Sequence, residues 1–140
     1  MASTNTTITI QANVQVPVAK VWKLWTTPED ILQWNSASSD WHTTKAENDL
    51  RVGGKFTSRM EAKDGSVGFD FWGVYDEIIT HQKIEYTLGD GRKVVVLFTD
   101  NGGETNIVST FEAENQNSIE MQKYGWLAIL ISFKTYAEAH

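Results

Sequence analysis

Cysteine is absent from the sequence, and proline occurs only at Pro17 and Pro28. Without cysteine the chain forms no disulfide, no thiolate metal site and no cysteine nucleophile. The sequence also lacks an uninterrupted apolar run of the length that a membrane-spanning helix needs. Its first residues, MASTNTTITI, show no basic region followed by an apolar run. We therefore expect a cytoplasmic protein that does not insert into a membrane.

Positive charge and histidine are scarce as well. The 12 Lys and Arg residues are outnumbered by 18 Asp and Glu residues, which gives a formal charge of -6. Proteins bind nucleic acids through Lys and Arg contacts to phosphates, so we expect no nucleic-acid partner. His42, His81 and His140 form no HxxxH or HxH pair, and no GxSxG motif is present. We predict no metal site, no cofactor and no catalytic residue, and we leave open whether the protein is an enzyme.

Aromatic residues, in contrast, are plentiful. Six tryptophans occur in 140 residues, and apolar residues make up 41% of the chain, a composition typical of a soluble globular protein. This length suits a single domain over residues 1–140. Tryptophan buries a large area and carries one N–H group, so the surplus indicates either a bulky core or an aromatic-lined pocket.

Residue patterns predict one strand, two short helices, about six further strands and one long helix. Apolar and polar residues alternate over residues 6–16, and helical spacing follows Pro17. Pro28 ends that helix because it forces the preceding residue away from helical angles, and a second short helix follows over residues 29–33. The further strands are predicted at residues 41–47, 55–62, 66–78, 83–88, 92–99 and 105–113.

Two Asp-Gly pairs, at residues 64–65 and 90–91, predict tight turns between neighbouring strands. A two-residue loop fixes the register of a hairpin. For the first hairpin this predicts the pairs Met60–Phe69, Ser58–Phe71 and Phe56–Gly73 on the core face, with Arg59–Asp70 on the opposite face. For the second hairpin, a loop of the same length predicts the pairs Tyr86–Val95 and Ile84–Leu97.

The longest helical pattern spans residues 117–137. Asn117 with Glu120 three residues later matches a capping box, so the helix is predicted to begin near Asn117. Long antiparallel strands twist, and a sheet of this size with one long helix to cover it is expected to wrap around that helix. The stripe predicted to face the sheet consists of Ile119, Trp126, Leu130, Phe133 and Ala137.

Several segments resemble, in order and spacing, the SRPBCC superfamily and its branch named after the C-terminal domain of the activator of the heat-shock-protein-ninety ATPase. They are DLRVGGKF, MEAKDGSVGFDFWGVYDEI, IEYTLGDGRKVVVLF, ETNIVSTFEAE and QKYGWLAILISFKTYAE, and residues 17–34 match the early part of that branch. The resemblance implies an α+β helix-grip fold, shared with the birch-pollen allergen and START domains. In this fold a curved antiparallel sheet, in the order β-α-α-β6-α, grips a long C-terminal helix around a cavity.

The aromatic residues are expected to converge between sheet and helix. They either fill a core at ordinary packing density or line a ligand-sized cavity that a strongly curved sheet leaves behind. Hydroxyl groups among apolar walls need partners, so Ser58, Tyr75 and Tyr86 are expected to orient a ligand. The residues predicted to contact a small apolar, aromatic or lipid-like ligand are Trp25, Trp34, Trp41, Phe56, Ser58, Met60, Phe69, Phe71, Tyr75, Tyr86, Trp126 and Leu130.

Three functions fit these expectations. The first is a binding module that holds a small, mostly apolar molecule without changing it. The second is an enzyme of the polyketide cyclase or hydratase type, which would need a titratable group inside the cavity. The third is a co-chaperone-like regulator of the heat-shock-protein-ninety ATPase that acts through an exposed apolar patch. We prefer the first, because the sequence offers cavity walls but no evident reagent, and because the co-chaperone relies on a separate N-terminal domain for much of its chaperone contact.

Overall fold

The structure is a computed structural model that describes residues 6–140. Its elements follow the predicted order of one strand, two short helices, six strands and a long helix. They are β1 (Thr7–Val14), α1 (Val18–Thr26), α2 (Pro28–Trp34), β2 (Trp41–Asn48), β3 (Lys55–Ala62), β4 (Gly68–Ile79), β5 (Lys83–Leu88), β6 (Lys93–Asp100), β7 (Thr105–Glu112) and α3 (Ile119–Ala139). The predicted α+β helix-grip fold is confirmed.

The strands form one antiparallel seven-stranded sheet in the order β1-β7-β6-β5-β4-β3-β2. β1 and β2 are close in sequence but lie at opposite edges, so α1 and α2 carry the chain from one edge to the other. The sheet curls into a half-barrel, and α3 packs in its concave side. The apolar core therefore lies between the concave face of the sheet and the helices.

The first part of the chain shows how local sequence sets these elements. Side chains of β1 alternate between exposed and buried along its whole length, as the sequence predicts. Thr27 adopts extended angles (φ -86°, ψ 122°) because Pro28 follows it, and this separates α1 from α2. Pro28 then occupies the first turn of α2, where its missing N–H group costs nothing.

The β3–β4 hairpin has the predicted register. Met60 lies opposite Phe69, and Ser58 lies opposite Phe71. The loop is longer than predicted, since Ala62 N–H bonds to the Val67 carbonyl at 3.0 Å, but it is centred on the same Asp-Gly pair and so leaves the register unchanged. On the outer face, Arg59 lies opposite Asp70, as predicted. The Arg59 guanidinium is 3.6 Å from the Asp70 carboxylate and 3.0 Å from the Glu61 carboxylate.

The register predicted for the β5–β6 hairpin is wrong by one residue. The Leu88 N–H donates to the Arg92 carbonyl at 2.7 Å, so residues 89–91 form a three-residue loop that ends in Gly91 with φ 93°. As a result, Val94 and Val96, and not Val95 and Leu97, lie opposite Tyr86 and Ile84. This one-residue slip exchanges the faces of β6, so Val94, Val96 and Phe98 are buried while Leu97 is 43% exposed.

The start of α3 differs from the predicted capping box. The N-cap is Ser118, whose Oγ accepts a hydrogen bond from the Met121 N–H at 3.1 Å. The helix consequently starts at Ile119, which is 44% exposed and does not join the predicted buried stripe. Gln122 is buried instead, and its side chain bonds to backbone groups of Glu114 and Asn117. Leu130, Phe133 and Ala137 form the buried stripe as predicted.

Candidate functional site

A cavity of about 370 Å³ lies between the concave face of the sheet and α3. Its walls come from all seven strands on the sheet side and from the three helices, with the loop after α2, on the other. Every residue predicted from the sequence to contact a ligand lies on this wall; whether these residues bind a ligand stays a prediction. They are Trp25, Trp34, Trp41, Phe56, Ser58, Met60, Phe69, Phe71, Tyr75, Tyr86, Trp126 and Leu130.

Aromatic rings from α1, α2 and α3 close one end of the cavity. Trp25 stacks on Trp34 with ring centroids 5.1 Å apart, and both meet Phe133 edge-on, at 4.8 Å and 5.0 Å. The Trp34 indole N–H donates to the Leu24 carbonyl at 3.0 Å, which fixes the ring orientation. This end is therefore a rigid core, because its large rings are mutually packed and its buried N–H group has a partner.

A second group of rings forms the sheet wall. Phe56 on β3 contacts Tyr86 on β5 edge-on at 4.9 Å and Tyr75 on β4 at 5.4 Å. Across the cavity, Trp126 on α3 stacks almost parallel on Phe111 at 3.9 Å. The cavity thus lies between aromatic side chains that are held in place by contacts with other aromatic rings.

The sequence predicted Phe69 to lie in the core, and this prediction is wrong. It is on the predicted face of β4, but it is 48% exposed, and its ring meets Trp41 on β2 at 6.0 Å. Ala37, in the loop before β2, is also an exposed lining residue, so the cavity reaches the surface near this edge of the sheet. Phe69 and Trp41 consequently flank the mouth.

The two tyrosines on the wall differ in their hydrogen bonds. The Tyr75 hydroxyl donates to Asn48 Oδ1 at 2.5 Å, and Asn48 Nδ2 donates to the Thr26 carbonyl at 2.6 Å. Burial raises the pKa of Tyr75. The Tyr75 hydroxyl therefore belongs to a chain of hydrogen bonds that connects β4, β2 and α1. The sequence suggested instead that this hydroxyl orients a ligand.

Tyr86 has no hydrogen-bond partner for its hydroxyl within residues 6–140. Desolvation is the main cause that raises its pKa, with a smaller contribution from Tyr75 nearby. Its side chain packs against the core yet keeps some accessible surface. Since Tyr86 lines the cavity, that surface faces the cavity interior.

Charged groups are nearly absent from the wall. Glu47 is the one charged residue among the lining residues that the structure describes. It lies opposite Thr57, so its side chain is on the outer face of the sheet, where it pairs with Lys45 at 3.5 Å. Residues 6–140 contain no cluster of three or more potential metal ligands and no helix long and apolar enough to cross a membrane.

Several lining residues were not predicted from the sequence. The alternation of β1, β5 and β7 already pointed Ile10, Ile84 and Ser109 inward, so this signal was present. Val96 was missed because of the register error in β6, and Glu47 and Asn48 lie at the end of β2. The remaining positions depend on loop and helix placement that local patterns do not encode. The full set of lining residues beyond the prediction is Ile10, Ile31, Asn35, Ala37, Glu47, Asn48, Ile84, Val96, Ser109, Gly125 and Ile129.

Gly125 is an unusual wall residue because it lies within α3. Glycine in a helix interior costs roughly 0.5–1 kcal/mol relative to alanine. A Cβ built at this position would meet no atom within 4 Å, so no neighbour in the described structure requires glycine there. The missing side chain leaves open space beside Trp126, where the cavity wall borders a second pocket lined by Arg92 and Gln122.

The fold and the cavity between sheet and helix define a helix-grip protein of the SRPBCC type. The family model described as "Activator of Hsp90 ATPase homolog 1-like protein" matches residues 15–138. The chain therefore belongs to this family, which confirms the resemblance found in the sequence.

Solved structures agree with this assignment. An AHSA1-like protein from Aeromonas hydrophila is 42% identical, with a TM-score of 0.90 over 96% of this chain and 93% of that chain. A protein from Cytophaga hutchinsonii is 52% identical, with a TM-score of 0.82 over 94% and 92% of the two chains. A protein from Nitrosomonas europaea, 16% identical with a TM-score of 0.82 over 99% and 97%, shares the fold alone. No curated protein matches the chain.

Proposed function

We propose that this protein holds a small, mostly apolar molecule in the cavity between sheet and α3 without changing it chemically. The observation that carries this proposal is the cavity itself, with about 370 Å³ between walls built mainly from aromatic and aliphatic side chains. Small-molecule sites commonly measure about 300–1,000 Å³ and combine apolar walls with a few polar groups.

The size of the space also argues against incomplete packing as its origin. Protein interiors contain few voids larger than a water molecule. The aromatic side chains around this cavity are well packed on their other sides, as the Trp25–Trp34 stack and the Trp126–Phe111 stack show. Gly125 leaves open space at a position where alanine would favour the helix. These features support a cavity that is maintained for an occupant.

The chemistry of the wall favours binding over catalysis. The titratable lining residues within the described chain are Glu47, Tyr75 and Tyr86. The Glu47 carboxylate is on the outer face beside Lys45. The pKa of each tyrosine is raised by burial, so neither hydroxyl is a base near neutral pH. A cyclase or hydratase mechanism would need a proton acceptor that this wall does not present.

Binding of N-phenyl-1-naphthylamine, a neutral fluorescent probe, tests the proposal. We expect its emission to increase and shift to shorter wavelength, with saturation at one probe per chain. NMR shift changes should concentrate at cavity residues such as Phe71 and Tyr86. Gly125→Leu should weaken binding at least several-fold because the new side chain occupies open space at the wall. Lys123→Leu, which adds the same side chain on the exposed face of α3, is the matched control and should retain wild-type affinity.

Two outcomes would contradict the proposal. The first is the absence of saturable probe binding to the folded protein. The second is binding that perturbs exposed apolar residues such as Val52 and Val67 and leaves the cavity residues unchanged. Equal loss of affinity in the Gly125→Leu and Lys123→Leu proteins would also place the probe outside the cavity.

A further inference from the structure

Among the residues that the structure describes, three hydroxyl groups on the cavity wall have no partner. Ser58 on β3, Tyr86 on β5 and Ser109 on β7 are all lining residues, and none has a hydrogen bond from its side chain to another group within residues 6–140. In the same part of the chain, no fully enclosed side-chain oxygen or nitrogen lacks a partner. These hydroxyls therefore keep their accessible surface in the cavity, where an occupant can reach them.

The described part of the wall places no positive charge beside these hydroxyls. The lining residues that the structure describes include no Lys, Arg or His. A carboxylate, phosphate or sulfonate inside the cavity would lose its hydration without gaining a counter-charge, which is strongly unfavourable. The wall thus selects against fatty-acid and phosphate head groups and favours an uncharged molecule.

Tyr86 is the strongest hydrogen-bond donor among the three. Its ring is held edge-on by Phe56 at 4.9 Å and by Tyr75 at 6.3 Å, so the position of the hydroxyl is fixed by packing. The neighbouring Tyr75 hydroxyl is engaged by Asn48 and does not compete for the same partner. Burial raises the pKa of Tyr86, so the phenol stays protonated and able to donate.

We propose that the natural occupant is an uncharged aromatic or alicyclic molecule with a carbonyl oxygen, and that Tyr86 donates a hydrogen bond to that oxygen. This inference rests on the proposed binding function and adds to it the ligand class and the residue that selects it. Aromatic walls favour a ring system through offset and edge-to-face contacts. An unpaired buried hydroxyl favours an oxygen that can accept its proton.

Three probes with one common skeleton test this inference: naphthalene, 2-acetylnaphthalene and 2-naphthoate. Their dissociation constants are measured by NMR titration of the wild-type protein at neutral pH. We expect 2-acetylnaphthalene to bind about 3- to 10-fold more tightly than naphthalene, which is the usual gain from one neutral hydrogen bond. We expect 2-naphthoate to bind more weakly than both because its charge has no partner in the cavity.

A tyrosine-to-phenylalanine variant assigns the effect to one residue. In Tyr86→Phe, the affinity advantage of 2-acetylnaphthalene over naphthalene should disappear. Tyr136→Phe is the matched control, because its hydroxyl bonds to Asp30 at 2.6 Å away from the cavity wall, and this variant should keep the wild-type ratio. With a ¹³C-labelled carbonyl, the bound ketone should show a downfield shift in the wild-type protein that decreases in Tyr86→Phe.

The outcomes separate the inference from the function on which it rests. If none of the three probes binds, both the proposed function and the inference are overturned. If all three bind with similar affinity, or if 2-naphthoate binds most tightly, the cavity binds small molecules but the inference about ligand class is wrong. If the ketone advantage and the carbonyl shift persist in Tyr86→Phe, the assignment to Tyr86 is wrong.

Discussion

Phe133 and Trp126 lie on the same helix, and their replacement by alanine should have clearly different costs. Phe133 is 0% exposed and is enclosed by Trp25 and Trp34. Removing a fully enclosed phenylalanine leaves a closed void and costs about 3–5 kcal/mol of unfolding free energy. We expect Phe133→Ala to fall in this range.

Trp126 has a larger side chain, but its replacement by alanine should cost less unfolding free energy. It is partly buried, with one ring face stacked on Phe111 and with contact to the cavity. Its removal loses the stack, which contributes about 0.5–1.5 kcal/mol beyond burial, and widens a space that already exists. We therefore expect Trp126→Ala to cost about 2–3 kcal/mol, below the value for an enclosed aromatic residue.

Urea unfolding followed by far-ultraviolet circular dichroism measures both values without relying on tryptophan emission. The comparison is valid when both variants keep the wild-type dependence of free energy on urea. A loss for Trp126→Ala equal to or greater than that for Phe133→Ala would refute the argument. A loss below about 1 kcal/mol for Phe133→Ala would mean that α3 is not seated in the sheet as described.

Three further changes test other features. Asn48→Ala should cost about 1–3 kcal/mol in urea unfolding because the Tyr75 hydroxyl loses its acceptor; an unchanged midpoint would contradict this bond. Gly125→Ala should raise the free energy of unfolding by about 0.5–1 kcal/mol, and a lower Tm would show that the space beside Gly125 is not open. The pKa of Glu114 is held below its ordinary value of 4.5, chiefly by the Asn117 backbone N–H. Its stabilising effect is complete above that value and is lost as pH falls through the lowered pKa. Glu114→Gln should therefore lose less stability than the wild type between about pH 5 and about pH 3, and an unaltered pH profile would count against this role.

The two hairpins show what local sequence can and cannot predict. Asp64-Gly65 lies at the centre of its loop, so the β3–β4 register follows from the pair alone. In the β5–β6 loop, Gly89 is an additional loop residue, and a Cβ there would lie 2.5 Å from the indole of Trp72 on β4. The loop length is therefore linked to packing against a different strand, which a two-residue turn pattern does not report.

In α3, too, local sequence predicted some buried positions correctly and missed others. Helical spacing correctly predicted that Leu130, Phe133 and Ala137 are buried, because the sheet covers this part of α3. The same spacing placed Ile119 inward, but the first turn of α3 extends beyond that cover, and a polar residue, Gln122, is buried through bonds to the preceding loop.

Local sequence also did not predict which tyrosine hydroxyl of the cavity has a hydrogen-bond partner. The sequence identified Tyr75 and Tyr86 as equivalent. Only the approach of Asn48 from another strand distinguishes the bonded hydroxyl from the one that faces the cavity.

The pairing of β1 with β7 affects the order in which the protein can fold as it is synthesised. Ile10 finds its cross-strand neighbour in Ser109, and no other strand of the described chain pairs with β1. A growing chain on the ribosome therefore carries β1 with an unsatisfied edge until β7 has emerged. Such a distant pairing slows folding, because the entropy of closing the long intervening loop is lost before the contacts form. The nascent protein should thus be most prone to aggregation shortly before β7 and α3 leave the exit tunnel.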